Sequence, residues 1–161
     1  MSSKRPIQLL VYNSRLFNAH WSIFVPRTDN PHLGSRLHAT GSVVGGFTLE
    51  FVRNYNVLSD NRPLQRIDLA VVPADCIKDT EGDEEIVESD ARPIDRLEQV
   101  IVTVPAPGPS MRSATASRKN QQARVAMRDC QWWVKQAVAA LIAAGVCSSE
   151  AQSVADKAPV H

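Results

Sequence analysis

The sequence lacks most of the features that assign a chain quickly. It has three cysteines, Cys76, Cys130 and Cys147, an odd number with no C-x-x-C pair. That count and spacing disfavour a disulfide framework and a zinc knuckle, so no metal centre is expected, and free thiols fit a reducing, cytoplasmic setting. No window approaches the ~20 apolar residues of a membrane span. The apolar run behind the basic start MSSKR is too short for a signal peptide, and stable membrane insertion is not expected. Neither a Walker-type loop nor a G-x-G-x-x-G occurs, so no cofactor is expected, and any acyl chemistry would use a pre-activated donor or hydrolysis rather than ATP. Surplus charge is missing too. Eighteen basic and 17 acidic residues leave +1, which by itself points to neither nucleic acid nor membrane. With no internal repeat, 161 residues suffice for one domain with its own core.

What is present changes character midway. The first half reads as strands: IQLLVY (7–12), HWSIFV (20–25), RLHATG (36–41), FTLEFVRNY (47–55) and QRIDLAVVP (65–73). Alternation in the second places His20, Ser22 and Phe24 on one face and Trp21, Ile23 and Val25 on the other. A polar loop (26–35) suits an antiparallel return, so His20 and His38 are expected to face one another across neighbouring strands. Gly45-Gly46 marks a hairpin turn. Residues 79–90, DTEGDEEIVESD, read as a solvated acidic loop. A short helix follows Pro93, and PAPGPS (105–110) ends it. A basic segment over 110–127 then leads to the helix CQWWVKQAVAALIAAG, closed by Gly145, and Ser148 or Ser149 caps a last helix, EAQSVADK. The expectation is one α+β domain over 1–161, an antiparallel sheet with packed helices and a core over about 7–146.

Cys130 stands where the long helix begins. Asp129 is a good N-cap, which places the thiol in the first turn, where unpaired N–H groups and the helix dipole favour an anion. A thiolate pKa can fall there by roughly one to several units, although the Asp129 carboxylate opposes this. The alternative is a small buried hydrophobe, common for free cysteines. A thiol nucleophile needs a base, and the base needs orienting. Of four histidines, His161 ends the chain and His32 lies in a proline-containing loop, whereas His20 and His38 fall on strands. Two strand histidines and a helix-start cysteine form a Cys-His-His set by number and type.

HWSIFVP, then LHATG, then DCQWWV in that order resemble the lecithin:retinol acyltransferase-like group, the circularly permuted NlpC-type relatives of papain. That resemblance implies a permuted papain-like (NlpC-type) fold. It implies Cys130 as nucleophile, His20 as general base and His38 as the residue that orients the imidazole. Asp129 stands where the group has asparagine, and Gln131-Trp132-Trp133 where it has Glu-His-Phe. Nothing corresponds to the C-terminal membrane anchor of the vertebrate acyltransferases, so the resemblance carries the thiol chemistry over and leaves a lipid substrate open.

The function expected is thiol-dependent acyl transfer or hydrolysis of an amide, ester or thioester through a cysteine acyl-enzyme. The backbone N–H of Cys130 would be one oxyanion donor. Trp21, Trp132, Trp133 and Arg128 are the candidates for lining the substrate site. Arg112, Arg118, Lys119, Arg124 and Arg128 form a basic run that is either a solvated connector or a grip on a small-molecule, carrier-bound or tRNA-bound acyl donor. Two other functions remain open: a non-catalytic binding module of the same fold, or an RNA-associated protein using residues 112–128.

Overall fold

A computed structural model describes residues 3–89, 91–109 and 128–161. Six antiparallel strands form one sheet: β1 (Lys4–Tyr12), β2 (His20–Pro26), β3 (Leu33–Ser42), β4 (Gly46–Asn56), β5 (Leu64–Pro73) and β6 (Ile86–Glu88). Their spatial order is β5-β1-β2-β3-β4-β6, so the two histidine-bearing strands β2 and β3 lie at the centre.

Period-two alternation divides the sheet's apolar residues between two faces. Ile7, Leu9, Val11, Trp21, Ile23, Val25, Leu37, Ala39 and Phe51 form the larger cluster, together with Leu97, Ile101, Trp133, Val134, Ala137, Val138 and Leu141 from the helices. Leu10, Tyr12, Phe24, Val52 and Tyr55 form a smaller cluster on the opposite face with Val57. Among the described residues the α-helices therefore cover one face: α1 (Arg96–Ile101), α2 (Cys130–Ala143) and α3 (Glu150–Lys157). Burying each large aliphatic side chain of this layer contributes about 1.5–3 kcal/mol. Trp133, Val134, Ala137, Val138 and Leu141 make the inward stripe of α2. Asp129 caps it by accepting the Trp132 N–H at 3.1 Å, and Gly145 (φ +74°) ends it.

Several local expectations change. Residues 86–88, expected within a solvated loop, pair as an edge strand with Phe51–Arg53. Their alternation is too short to stand out among acidic neighbours. Asp95 rather than Pro93 starts α1, accepting the Glu98 N–H at 2.8 Å. Ser149 sits at the start of α3 but its side chain makes no capping bond. Part of the expected loop 26–35 already belongs to β3. A Cβ on Gly34 would lie 2.0 Å from the Val25 carbonyl oxygen, so glycine permits the close approach of β3 to β2. Among the described residues no helix is long and apolar enough to cross a membrane.

Candidate active site

His20, the first residue of β2, and His38, in the middle of β3, stand on the face away from the helices. Trp21 and Leu37, their chain neighbours, point the other way into the large core. His20 Nε2 lies 2.8 Å from His38 Nδ1, with the rings edge to face. His38 Nε2 in turn lies 3.0 Å from Glu50 Oε1. Glu50 is the direct cross-strand partner of His38 on β4. This chain fixes the tautomers. A Glu50 carboxylate only accepts, so His38 Nε2 carries the proton and His38 Nδ1 is the acceptor. His20 Nε2–H then donates to it, which leaves His20 Nδ1 with a lone pair. Arg36 Nη2, 3.4 Å from His38 Nδ1, also meets that atom as a donor. Among the described residues His20 Nδ1 has no hydrogen-bond partner, and no fully buried polar atom lacks one, so Nδ1 is not completely buried.

Both imidazoles are held neutral. Burial, with His38 and the Arg36 and Arg62 charges nearby, brings His20 down to about 3. Burial and the same two arginines bring His38 down to about 3. The pair is poised to accept a proton transiently, not to hold one.

Cys130 opens α2, as its sequence position predicts, and is 7% exposed. The β2–β3 ladder runs from Ile23–Leu37 to Pro26–Gly34, so the strands have parted beside His20. There the first turn of α2 meets β2. Cys130 Sγ donates to the Ala19 carbonyl at 3.9 Å. The thiol thus meets the backbone just before His20, but no hydrogen bond joins it to either imidazole. The expectation of a lowered thiol pKa is corrected. Burial, seconded by the Asp129 charge, pushes Cys130 up to about 11, past the opposing pull of the first-turn N–H groups. The resting pair is a thiol and a neutral imidazole.

The proposed lining residues separate. Trp21 and Trp133 are fully buried, their indole N–H groups committed to the Pro159 and Val104 carbonyls at 3.0 and 3.1 Å. Neither presents a ring to a ligand, so both leave the candidate lining. Adjacent helix positions diverge by ~100°. Trp132 accordingly lies at the helix flank, half-buried, with the Arg128 guanidinium 4.9 Å from its ring centre. Arg112, Arg118, Lys119 and Arg124 lie outside the described residues, and so does the basic-segment reading built on them. His32 and His161 are exposed, and Cys76 and Cys147 are free, half-buried thiols. None of the four bonds to His20, His38 or Cys130. No group of three or more His, Cys, Asp or Glu among the described residues is placed to hold a metal.

Two contributors escaped the sequence reading. Glu50 was readable, since counting outward from the Ser42–Gly46 turn pairs it with His38. Gln131 was not. Its Nε2 donates to Ala19 O and to Val160 O, both at 2.8 Å, and the Ala19 N–H donates to Val160 O at 2.6 Å. The segment Pro159–His161 is thereby stitched across the start of β2, against the helix turn that carries the thiol.

The molecule is an α+β protein whose six-stranded antiparallel sheet carries a Glu-His-His chain on one face and, among the described residues, three helices on the other. It belongs to the family of unknown function DUF6540, which matches residues 7–148, from β1 to just beyond α2. That span takes in His20, His38, Glu50 and Cys130. No curated protein and no solved structure matches the chain.

Proposed function

We propose that the chain is a thiol-dependent acyltransferase or hydrolase of permuted papain-like (NlpC-type) architecture, with Cys130 as nucleophile and His20 as base. The reading is carried by one observation: the hydrogen-bonded Glu50–His38–His20 chain ends at the residue next to Ala19, whose carbonyl the Cys130 thiol contacts. In this mechanism a carbonyl substrate enters beside His20, and because His20 stands on the face away from the helices its ring has to turn around the start of β2 for Nδ1 to reach the thiol. His20 takes the Sγ proton as the S–C bond forms. The imidazolium then returns that proton to the leaving group as the C–N, C–O or C–S bond breaks, and water or an amine resolves the thioester. The first-turn N–H groups of α2, close to the sulfur, face the developing oxyanion. The substrate is an amide, ester or thioester, and the acceptor is water or an amine.

The competing reading is a binding module. It draws on the raised thiol pKa and on the Cys130 bond to Ala19 O in place of histidine. Turnover of an acetyl thioester and an activated acetyl ester separates the two. The parent, Cys76→Ser and Cys147→Ser should turn over alike while Cys130→Ala is inactive. Turnover by Cys130→Ala at the parental rate would exclude Cys130 as the nucleophile, and no turnover by the parent on either substrate would support the module.

A further inference from the structure

Among the described residues three arginines are buried, Arg5, Arg36 and Arg53, at 8%, 8% and 3% exposure. Arg5 pairs with Asp79 at 2.6 Å. Arg53 reaches both oxygens of Glu98, at 2.5 and 2.7 Å, and Glu88 at 3.4 Å. Arg36 forms no ion pair with any described residue. Its Nε donates to Ser22 Oγ at 3.1 Å and its Nη2 meets His38 Nδ1 at 3.4 Å. The guanidinium carbon lies 4.9 and 5.1 Å from the ring centres of Tyr12 and Tyr55. Aromatic faces partly replace lost hydration, but a buried cation without a counter-charge is an uncommon expense for a fold to carry. Nη1 makes no hydrogen bond to a described residue, and no fully buried polar atom among them lacks a partner, so this edge of the fork is not completely buried. The space it reaches is a cleft of about 380 Å³ on the sheet face away from the helices, also lined by Tyr55, Asn56, Ser59, Asp60 and Arg62.

We infer that this cleft is a binding site for a small polar molecule bearing one carboxylate, which pairs with the open edge of Arg36. The pairing on the wall, rather than its net charge, selects a monoanion. Arg62 is already paired with Asp60, through bonds at 3.0 and 2.7 Å, and Glu85 brings the four charged groups of the wall to zero. Arg36 is the wall's cation with no ion pair to a described residue. A phosphate dianion would face Asp60 and Glu85 with one uncompensated partner, whereas a planar carboxylate matches one guanidinium edge in shape and charge. Asn56, Ser59 and Asn61 offer neutral donors and acceptors to the rest of the ligand. The inference does not rest on the thiol chemistry, since nothing in it involves Cys130, although the site adjoins His38.

The test is a thermal-shift and calorimetric titration of the intact chain with N-acetylglycine, its neutral amide N-acetylglycinamide, and inorganic phosphate, at matched ionic strength. The expected result is saturable stabilisation by N-acetylglycine, none by the amide, and weaker binding of phosphate. Arg36→Met should remove the response. Arg36→Lys, which keeps a charge but loses the fork, should weaken it at least ~10-fold. If Arg36→Met fails to fold, the Arg36 Nε–H resonance of the parent gives the answer, and it should shift along the same binding curve. Equal responses to acid and amide, retention of binding by folded Arg36→Met, an unmoved Arg36 resonance, or tighter binding of phosphate would each overturn the assignment.

Discussion

Two histidines kept neutral inside a fold make its stability depend on acid in a predictable way. His20 and His38 each go from an ordinary 6.5 to about 3 in the folded protein. A lowered folded value means that the unfolded chain binds the proton more readily. The contribution is therefore fully present above pH 6.5 and is lost as pH falls from 6.5 towards 3. At pH 5 one such histidine has cost about 2 kcal/mol, from 1.5 pH units at ~1.36 kcal/mol per unit. The rings share a hydrogen bond and titrate as a pair, so the expected loss between pH 7.5 and pH 5 is about 2–4 kcal/mol. For a domain with roughly 5–15 kcal/mol in hand this is large. Urea unfolding at the two pH values measures it, and a His20→Gln/His38→Gln double variant subtracts the carboxylates, which titrate in both proteins. The parent should lose about 2–4 kcal/mol more than the variant over that interval. Equal losses would refute the neutral, desolvated pair, and with it the tautomer assignment.

Three further outcomes follow from the same geometry. With its thiol at about 11 against an ordinary 9.0, Cys130 should react with iodoacetamide at pH 7.5 about tenfold more slowly than a peptide thiol, even allowing for the greater nucleophilicity of a more basic thiolate. The rate, read by peptide mass mapping, should climb up to about pH 11, and Cys130 emerging as the fastest cysteine at neutral pH would contradict this. Glu50→Leu removes the acceptor that fixes the His38 tautomer, so kcat for the thioester should fall about tenfold or more with KM unchanged, while Glu50→Gln, whose amide oxygen still accepts, keeps most of the rate. A merely structural Glu50 would not give that split. Arg53→Met strands the buried Glu98 carboxylate and should destabilise by about 3–5 kcal/mol in urea, whereas Arg36→Met strands no acid and should cost far less; similar losses would argue against an unpaired Arg36.

Strand alternation and the Asp129-Cys130 helix start were legible because both are local patterns. HWSIFV states which side chains face the helices, and one capping residue fixes where α2 begins. The His20–His38 encounter was legible because one short connection joins their strands. Long-range and solvation effects were not. Whether a first-turn thiol is anionic depends on water around the sulfur, and burial from the strand beneath reverses what the helix terminus alone suggests. Which of two adjacent tryptophans faces inward depends on helix rotation, so Trp133 and Trp132 were interchangeable until packing separated them. Trp21 sat on the correct strand but on the buried face. Arg36 looked like any strand arginine, because a missing partner leaves no trace in the sequence.

The central claim is that Cys130 forms a covalent acyl intermediate by passing its proton to His20. Intact-mass measurement after brief mixing with an acetyl thioester or an activated acetyl ester tests it most directly. The account predicts one added acetyl group, mapped to Cys130, absent from Cys130→Ala and formed at least ~100-fold more slowly in His20→Gln, as expected for loss of a general base. No adduct with either donor, acetyl groups spread equally over Cys76 and Cys147, or equal rates with and without His20 would contradict it.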